Sequence, residues 1–396
     1  MKKSTTDRIT NSMTVNRIAG KYIYLPVYLP AAAAVLAVSI FLSMGIILCL
    51  HASAGAAVPM TPLGEEWGER RDGGYYRIVN LEGQFLTTTA LDIDVDDVFI
   101  AEDNERWIID RIDGDTAYAR SDGKEKMPTI FNNSPGLAGM AWQWAAQLVS
   151  SARRQNGEKK VIGIFQTHND ESYLPTSGEE SETPQGDIHE VGLALKESLE
   201  KQGYTVVYSD NIHLPHDGQA YLRSRRTAAE LSKDRPTTII DVHRDAVPNA
   251  ASYRTTINGE QVAKVRIVVG RQNPNKAMNL NYAKRLKAAM DERFPGLSRG
   301  IFMAKGNYNQ DLGPRMILLE FGTHTLSLDE AKKAAALVGE VLPAAAGMAP
   351  GTGASAQSQM GSAAMNTVAW LLGLSVVGGG IWYFLNKEGF WRRRRN

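Results

Sequence analysis

Val161-Ile162-Gly163-Ile164-Phe165 is an unbroken apolar run, with no alternation of polar residues inside it. A run this short and this uniform predicts a strand covered on both faces, the kind found inside α/β sheets. Helical and strand patterns then alternate along the chain. Ile188 to Gln202 predicts a helix ended by Gly203, and Tyr204-Thr205-Val206-Val207-Tyr208 the next strand. Tyr221 to Asp234 predicts a helix and Thr237-Thr238-Ile239-Ile240-Asp241 a strand. Further on come Lys264 to Val269 (strand), Asn279 to Phe294 (helix), Met316 to Leu319 (strand) and Leu328 to Val341 (helix). This order predicts an α/β domain whose mainly parallel sheet is flanked by helices.

Ligands in such sheets gather beyond the carboxyl ends of the strands. The first strand is followed by Thr167-His168-Asn169-Asp170-Glu171-Ser172-Tyr173, the third by Asp241-Val242-His243-Arg244-Asp245, and the last ends in Glu320-Phe321-Gly322-Thr323-His324. Two imidazoles and one carboxylate form a cage suited to zinc with a position left for water, and a further carboxylate can take that water's proton. His168 and Glu171, three apart on one loop, can turn toward the same ion. His243 enters from another strand, and Glu320 is the candidate general base. Glu190, at the start of the first helix, is the alternative to Glu171, although a helix N-terminus accounts for an acid there by itself. His213 and His216 flank Leu214-Pro215 in what reads as a solvated loop over the sheet, with a substrate contact as the alternative, and Arg223, Arg225 and Arg226 read as a solvated helix face. Arg244 and Asp245 are placed to orient groups around the metal, and Asn309, Gln310 and Arg315 to line a polar groove.

Upstream, Gly74 to Lys124 breaks into short β-branched and aromatic runs separated by turn signals, Asp113-Gly114 among them. This predicts a small all-β module that serves as a spacer or contact surface. Pro135 to Arg154 reads as an amphipathic helix carrying Met140, Trp142, Trp144 and Leu148. The 396 residues carry 44 basic and 43 acidic side chains, a balance that argues against nucleic-acid binding. One cysteine excludes an intrachain disulfide framework. The charge is unevenly spread. Lys2, Lys3, Arg8, Arg17 and Lys21 face only Asp7, and Lys387 with Arg392 to Arg395 face only Glu388, so basic ends enclose an acidic body.

Each basic end adjoins an uncharged apolar run, Pro26 to Leu50 and Thr367 to Leu385. Both are long enough for membrane helices, and basic flanks place both chain ends in the cytoplasm and the body outside. A cleaved signal peptide is the rival for the first run, since Ala52-Ser53-Ala54 offers cleavage spacing, but the run exceeds the usual apolar length. Ala344 to Ala363 has linker composition.

Five ordered motifs resemble the stage II sporulation protein P family: Thr167 to Pro175, Asp241 to Asp245, Val268-Val269-Gly270 with Asn273-Pro274-Asn275, Tyr308 to Leu312, and Leu319 to Thr323. The resemblance covers most of residues 160–345. It implies a zinc-dependent N-acetylmuramoyl-L-alanine amidase of amidase-3-like fold, acting on peptidoglycan during engulfment of the forespore. By position, His168 and His243 resemble its metal ligands and Glu320 its catalytic glutamate. The His-x-x-Glu spacing also looks like zinc carboxypeptidases, which selects Glu171 as the third ligand. A partner lytic transglycosylase, stage II sporulation protein D, is implied by the resemblance alone. The second apolar segment departs from the family's single N-terminal anchor.

The expected division is a cytoplasmic N-terminus (1–25), a transmembrane helix (26–50), a linker (51–72), the β module (73–126) and a connecting helix (127–157). A zinc amidase domain (158–345), a flexible linker (346–365), a second transmembrane helix (366–385) and a basic cytoplasmic tail (386–396) complete it. Two other readings stay open: a zinc carboxypeptidase trimming stem peptides, for which no single Arg or Lys stands out as the terminal-carboxylate clamp, and a non-catalytic wall-binding scaffold.

Overall fold

β6 (Val161–Phe165) is buried along its whole length, as its apolar run requires. It pairs in parallel with β7 (Thr205–Tyr208) on one side and β8 (Thr238–Asp245) on the other. β8 pairs in parallel with β13 (Met316–Thr323). These four strands match the parallel expectation, and β8 and β13 run several residues past the expected ends.

The expectation fails at the next strand. β11 (Val265–Gly270) runs antiparallel to β13, while β12 (Ser298–Ala304) runs parallel to β11. The sheet is therefore mixed, not mainly parallel. The cause lies in the connections, because parallel neighbours need a long crossover, usually a helix. β8 reaches β11 through a 3-10 turn and the hairpin β9 (Arg254–Ile257) to β10 (Glu260–Ala263), with no crossover helix. β12 reaches β13 through another short 3-10 turn. Only α4 (Lys276–Arg293), between β11 and β12, supplies the crossover that keeps those two parallel.

The computed structural model describes residues 68–70, 72–131 and 160–348. The segments expected to span a membrane, the amphipathic helix expected over Pro135 to Arg154 and most of the linker lie outside the described residues. Among the described residues no helix is long and apolar enough to cross a membrane.

The N-terminal strands β1 (Tyr76–Asn80), β2 (Phe85–Thr89), β3 (Val98–Ile100), β4 (Glu105–Asp113) and β5 (Thr116–Lys124) do not form a sheet of their own. β3 pairs with β12, so eleven described strands share one sheet in the order β2-β1-β5-β4-β3-β12-β11-β13-β8-β6-β7. Gly300, at the β12–β3 junction, has φ +97, and a Cβ there would strike the carbonyl oxygen of Ile100. Only glycine lets the two backbones pair this closely.

The single turn α1 (Leu174–Ser177) lies on the loop after β6, and helices α2 (Ile188–Lys201), α4 and α5 (Leu328–Ala345) cover one face. α2 turns Ile188, Val191, Leu195 and Leu199 inward at helical spacing, each contributing ~1.5–3 kcal/mol of burial. α5 starts on a capping box between Ser327 and Glu330 and continues into the stretch that composition marks as linker; Ala345, Ala346 and Met348 are buried. Strand residues alternate accordingly: Ile240, Val242, Ile267, Val269, Ile317 and Leu319 meet the three helices. Ile239 and Met316 face α3 (Ala220–Lys233) on the opposite side, where Val268, Phe302 and Leu318 meet the N-terminal strands.

Candidate metal centre and catalytic glutamate

On the face covered by α3 and the N-terminal strands, three charged positions fall in one row. Arg266 of β11 is opposite Glu320 of β13, and Glu320 is opposite His243 of β8. Directly paired residues on one face bring their side chains together. A one-residue slip of any strand would turn its member into the helix layer, so the apolar alternation that sets the register also builds the site.

His168 and Glu171 come from the loop after β6, which is pinned from several sides. The Asp241 carboxylate accepts from the Thr167 backbone N–H (2.8 Å) and hydroxyl (2.7 Å). Further on, Gly186 N–H donates to Asn169 O (2.7 Å), Glu182 N–H to Asp170 O (2.8 Å) and Ile188 N–H to Glu171 O (3.0 Å). Gly186 lies so close that a Cβ would strike the carbonyl oxygens of Asp170 and Glu171. Gly186→Ala is expected to cost ~1–3 kcal/mol of stability and to displace Glu171. Chemical denaturation of the variant checks this; an unchanged midpoint would contradict it.

The structure brings His168, Glu171 and His243 together, all buried, with one donor atom from each within 4.8 Å of the others. Glu171 Oε1 lies 3.1 Å from His168 Nδ1 and 3.3 Å from His243 Nδ1, while Oε2 accepts from Arg244 N–H at 2.9 Å. Burial alone would raise the Glu171 pKa, but His243, the contacts with both imidazoles and Arg244 hold it well below the usual carboxylate range. Burial and the neighbouring His216 push His168 down to about 3, so it presents a neutral imidazole. Burial would lower His243 too, yet Asp241 and Glu171 on either side raise it well above its ordinary value.

Two imidazoles and an ionised carboxylate, buried and convergent, fit a divalent ion. His243 Nε2 adds a second sign. It is buried and lies 3.0 Å from Asp241 Oδ1, but it makes no hydrogen bond of good geometry. The positive charge that a proton carries between Asp241 and Glu171 is one a metal can supply instead.

Glu320 sits beside this group among partners of its own. The buried Tyr253 hydroxyl lies 2.9 Å from Glu320 Oε2 and 2.7 Å from Asp245 Oδ2, sharing one proton between the two carboxylates. Arg266, fully buried, donates to Asp245 at 3.1 Å and stands 4.0 Å from Glu320. Burial and then Asp245 push Glu320 up to about 8, against the opposing pull of Arg266 and Tyr253. The N-terminal strands complete the set. Arg266 donates to Thr87 Oγ1 and Thr88 O (both 2.8 Å), Arg299 to Thr87 Oγ1 and Thr88 Oγ1 (both 3.2 Å), and Ala90 N–H to Asp245 (3.0 Å). The module read as a spacer or contact surface thus braces the residues around Glu320.

Several expectations change. Glu190 stands on the exposed side of α2 and pairs with Lys332 at 3.1 Å, so it is outside the cluster. His213 is not solvated: it is buried, with Nδ1 2.8 Å from Gln166 O and Nε2 2.8 Å from Thr227 Oγ1. His216 contacts Asp170 at 2.9 Å and stacks on His168 with centroids 3.9 Å apart. Arg226 is exposed as expected, whereas Arg225 pairs with Asp311 at 2.5 Å and Arg223 donates to His213 O at 2.6 Å. Asn309 and Gln310 do not line a groove; both are buried and spend their amides on Tyr221 O and Val268 O (2.9 Å each), while Arg315 is exposed. Tyr253, Arg266 and Glu69 escape a reading of the chain by motif. Arg266 alone carries a signal, a single charge inside the apolar run Val265 to Gly270.

A mixed sheet carrying a buried His-Glu-His group and an adjacent buried glutamate defines a candidate metal-binding site. The chain belongs to the stage II sporulation protein P family, whose model matches residues 109–343. It is 35% identical over 208 residues to stage II sporulation protein P of Bacillus subtilis (strain 168), covering 48% of this chain and 52% of that protein. The chain thus spans about half the length of that curated relative. Among solved structures it is similar to the CwlD amidase from Clostridioides difficile in complex with the GerS lipoprotein. That match has a TM-score of 0.33 and 12% identity, and covers 47% of this chain and 96% of that one. A second match is an N-acetylmuramoyl-L-alanine amidase from Clostridium difficile 630, at TM-score 0.32 and 16% identity, covering 48% and 95%.

Proposed function

We propose that this protein is a peptidoglycan hydrolase of sporulation, a zinc-dependent N-acetylmuramoyl-L-alanine amidase that cuts between the glycan lactyl group and the stem peptide. The convergence of His168, Glu171 and His243 beside Glu320 carries this reading, and membership of the sporulation family supplies the substrate class. Zinc held by those three residues would polarise the scissile carbonyl and acidify the attacking water. Glu320 accepts that water's proton and delivers it to the leaving nitrogen of the L-alanyl residue. Tyr253 and Arg266 fix the carboxylate that performs both transfers. The body works on the outer face of a membrane that its basic ends and two apolar segments anchor, with stage II sporulation protein D as a partner. The test of metal dependence is direct: a chelator should stop digestion of purified peptidoglycan, and added zinc should restore it. Digestion that persists through exhaustive chelation would refute the proposal.

Only the ionised form of Glu320 accepts a proton, so activity should rise with pH through about 8. The Tyr253 hydroxyl favours the ionised form. Tyr253→Phe should therefore move the rising limb to higher pH, and a limb displaced upward by one pH unit lowers the rate at pH 7 about tenfold. A limb that stays in place or moves to lower pH would contradict the role given to Tyr253.

A further inference from the structure

Arg244 follows His243 directly and is buried, yet its guanidinium is only partly used. Nε donates to Ser172 O at 3.2 Å and Nη2 to Glu180 O at 2.9 Å, both on the loop that carries Glu171. Nη1 is buried and has no hydrogen-bond partner. The nearest carboxylate is Glu69, whose Oε1 stands 3.6 Å from that Nη1. Its other oxygen, Oε2, is 3.8 Å from His216 Nε2. The Glu69 backbone is held by an antiparallel bridge to Leu91, just past β2.

A buried guanidinium is stable only with hydrogen-bonded compensation. Glu69 supplies the charge at a loose distance and leaves the hydrogen bond unmade. A carboxylate free to approach would form a charge-assisted bond at ~2.7–2.9 Å. The geometry points to Arg244 Nη1, with His216 Nε2 opposite, as a subsite for a carboxylate of the substrate peptide, and to Glu69 as the chain's own occupant of that subsite. The inference rests on the amidase reading for the substrate class and adds to it a specificity determinant next to the metal centre. In the first two residues of a stem peptide the carboxylate has two sources, the α-carboxylate of the second residue or its γ-carboxylate, which is free where the peptide ends there. Binding displaces Glu69 toward solvent, to which its side chain is already 20% exposed.

The test is equilibrium binding to the full chain with a chelator present, so that no metal supplies the attraction. The probes are L-alanyl-D-glutamate and its two mono-amides, one blocked at each carboxylate. The free dipeptide should bind at least tenfold more tightly than one of the amides, and the weaker amide identifies the source. Glu69→Gln, which removes the competing charge, should tighten the free dipeptide several-fold and leave the weaker amide unchanged. In Arg244→Gln the difference between dipeptide and amide should vanish. Equal affinities for all three probes in the unaltered protein, or discrimination that survives in Arg244→Gln, would overturn the subsite. Because binding is read without turnover, failure of the amidase reading would show separately, as intact peptidoglycan after incubation with the zinc-loaded protein.

Discussion

Glu320→Gln is expected to lower kcat by ~10²–10⁴ while the protein keeps its metal and its fold. The amide fills the same space and still accepts from Tyr253, which lies 2.9 Å away, but it cannot take a proton from water. His168→Ala should behave differently, losing bound metal and activity together, because it removes a donor from the buried cluster rather than the base beside it. Metal content and rate measured on both variants separate the two roles. Metal lost from Glu320→Gln, or a rate close to that of the unaltered protein, would show that Glu320 is not the base.

The largest effect on stability is expected at Arg266. Arg266→Met leaves Asp245 and Glu320 facing each other without their shared cation and strips Thr87 and Thr88 of a donor. Breaking a buried ion pair from one side costs ~3–5 kcal/mol. Because the lost contacts join β11 to β2, the cost should fall on the attachment of the N-terminal strands as well as on the site. Adding Asp245→Asn to Arg266→Met should recover part of the loss, since it removes the carboxylate that the lost guanidinium leaves unpaired. Denaturant midpoints of the two variants give the answer. A double variant no more stable than Arg266→Met alone would show that the charge balance is not what Arg266 provides.

The buried His168-Glu171-His243 group and Glu320 beside it were legible in the sequence because they lie at or just past the ends of strands that the apolar runs mark plainly. Strand ends converge in an α/β sheet whichever way the outer strands point, so a wrong expectation about direction left the grouping intact. β12 was hidden because Arg299 and Gly300 interrupt its apolar pattern. Both have reasons visible only in three dimensions, one reaching Thr87 and Thr88, the other admitting β3 to the sheet. The hairpin of β9 and β10 carried a turn signal in Asn258-Gly259, both with positive φ, and without it the reversal of β11 had no visible cause.

What lay out of reach is everything the N-terminal strands bring. Thr87, Thr88 and Ala90 are unremarkable as residue types, and their partners Arg266, Arg299 and Asp245 stand more than 150 positions away. No spacing rule connects them. Glu69 likewise precedes the first strand, and only the packing of that module over the sheet sets it beside Arg244 and His216. A fragment cut to the α/β part would therefore lack the groups that steady Glu320.

The central claim is tested most directly by mass spectrometry of peptidoglycan digested with the zinc-loaded full chain. The amidase reading predicts intact stem peptides released with a free L-alanine amine, and glycan strands left bare at the lactyl group. Peptides still attached to glycan but shortened from their carboxyl ends would contradict it and identify a carboxypeptidase built on the same metal centre.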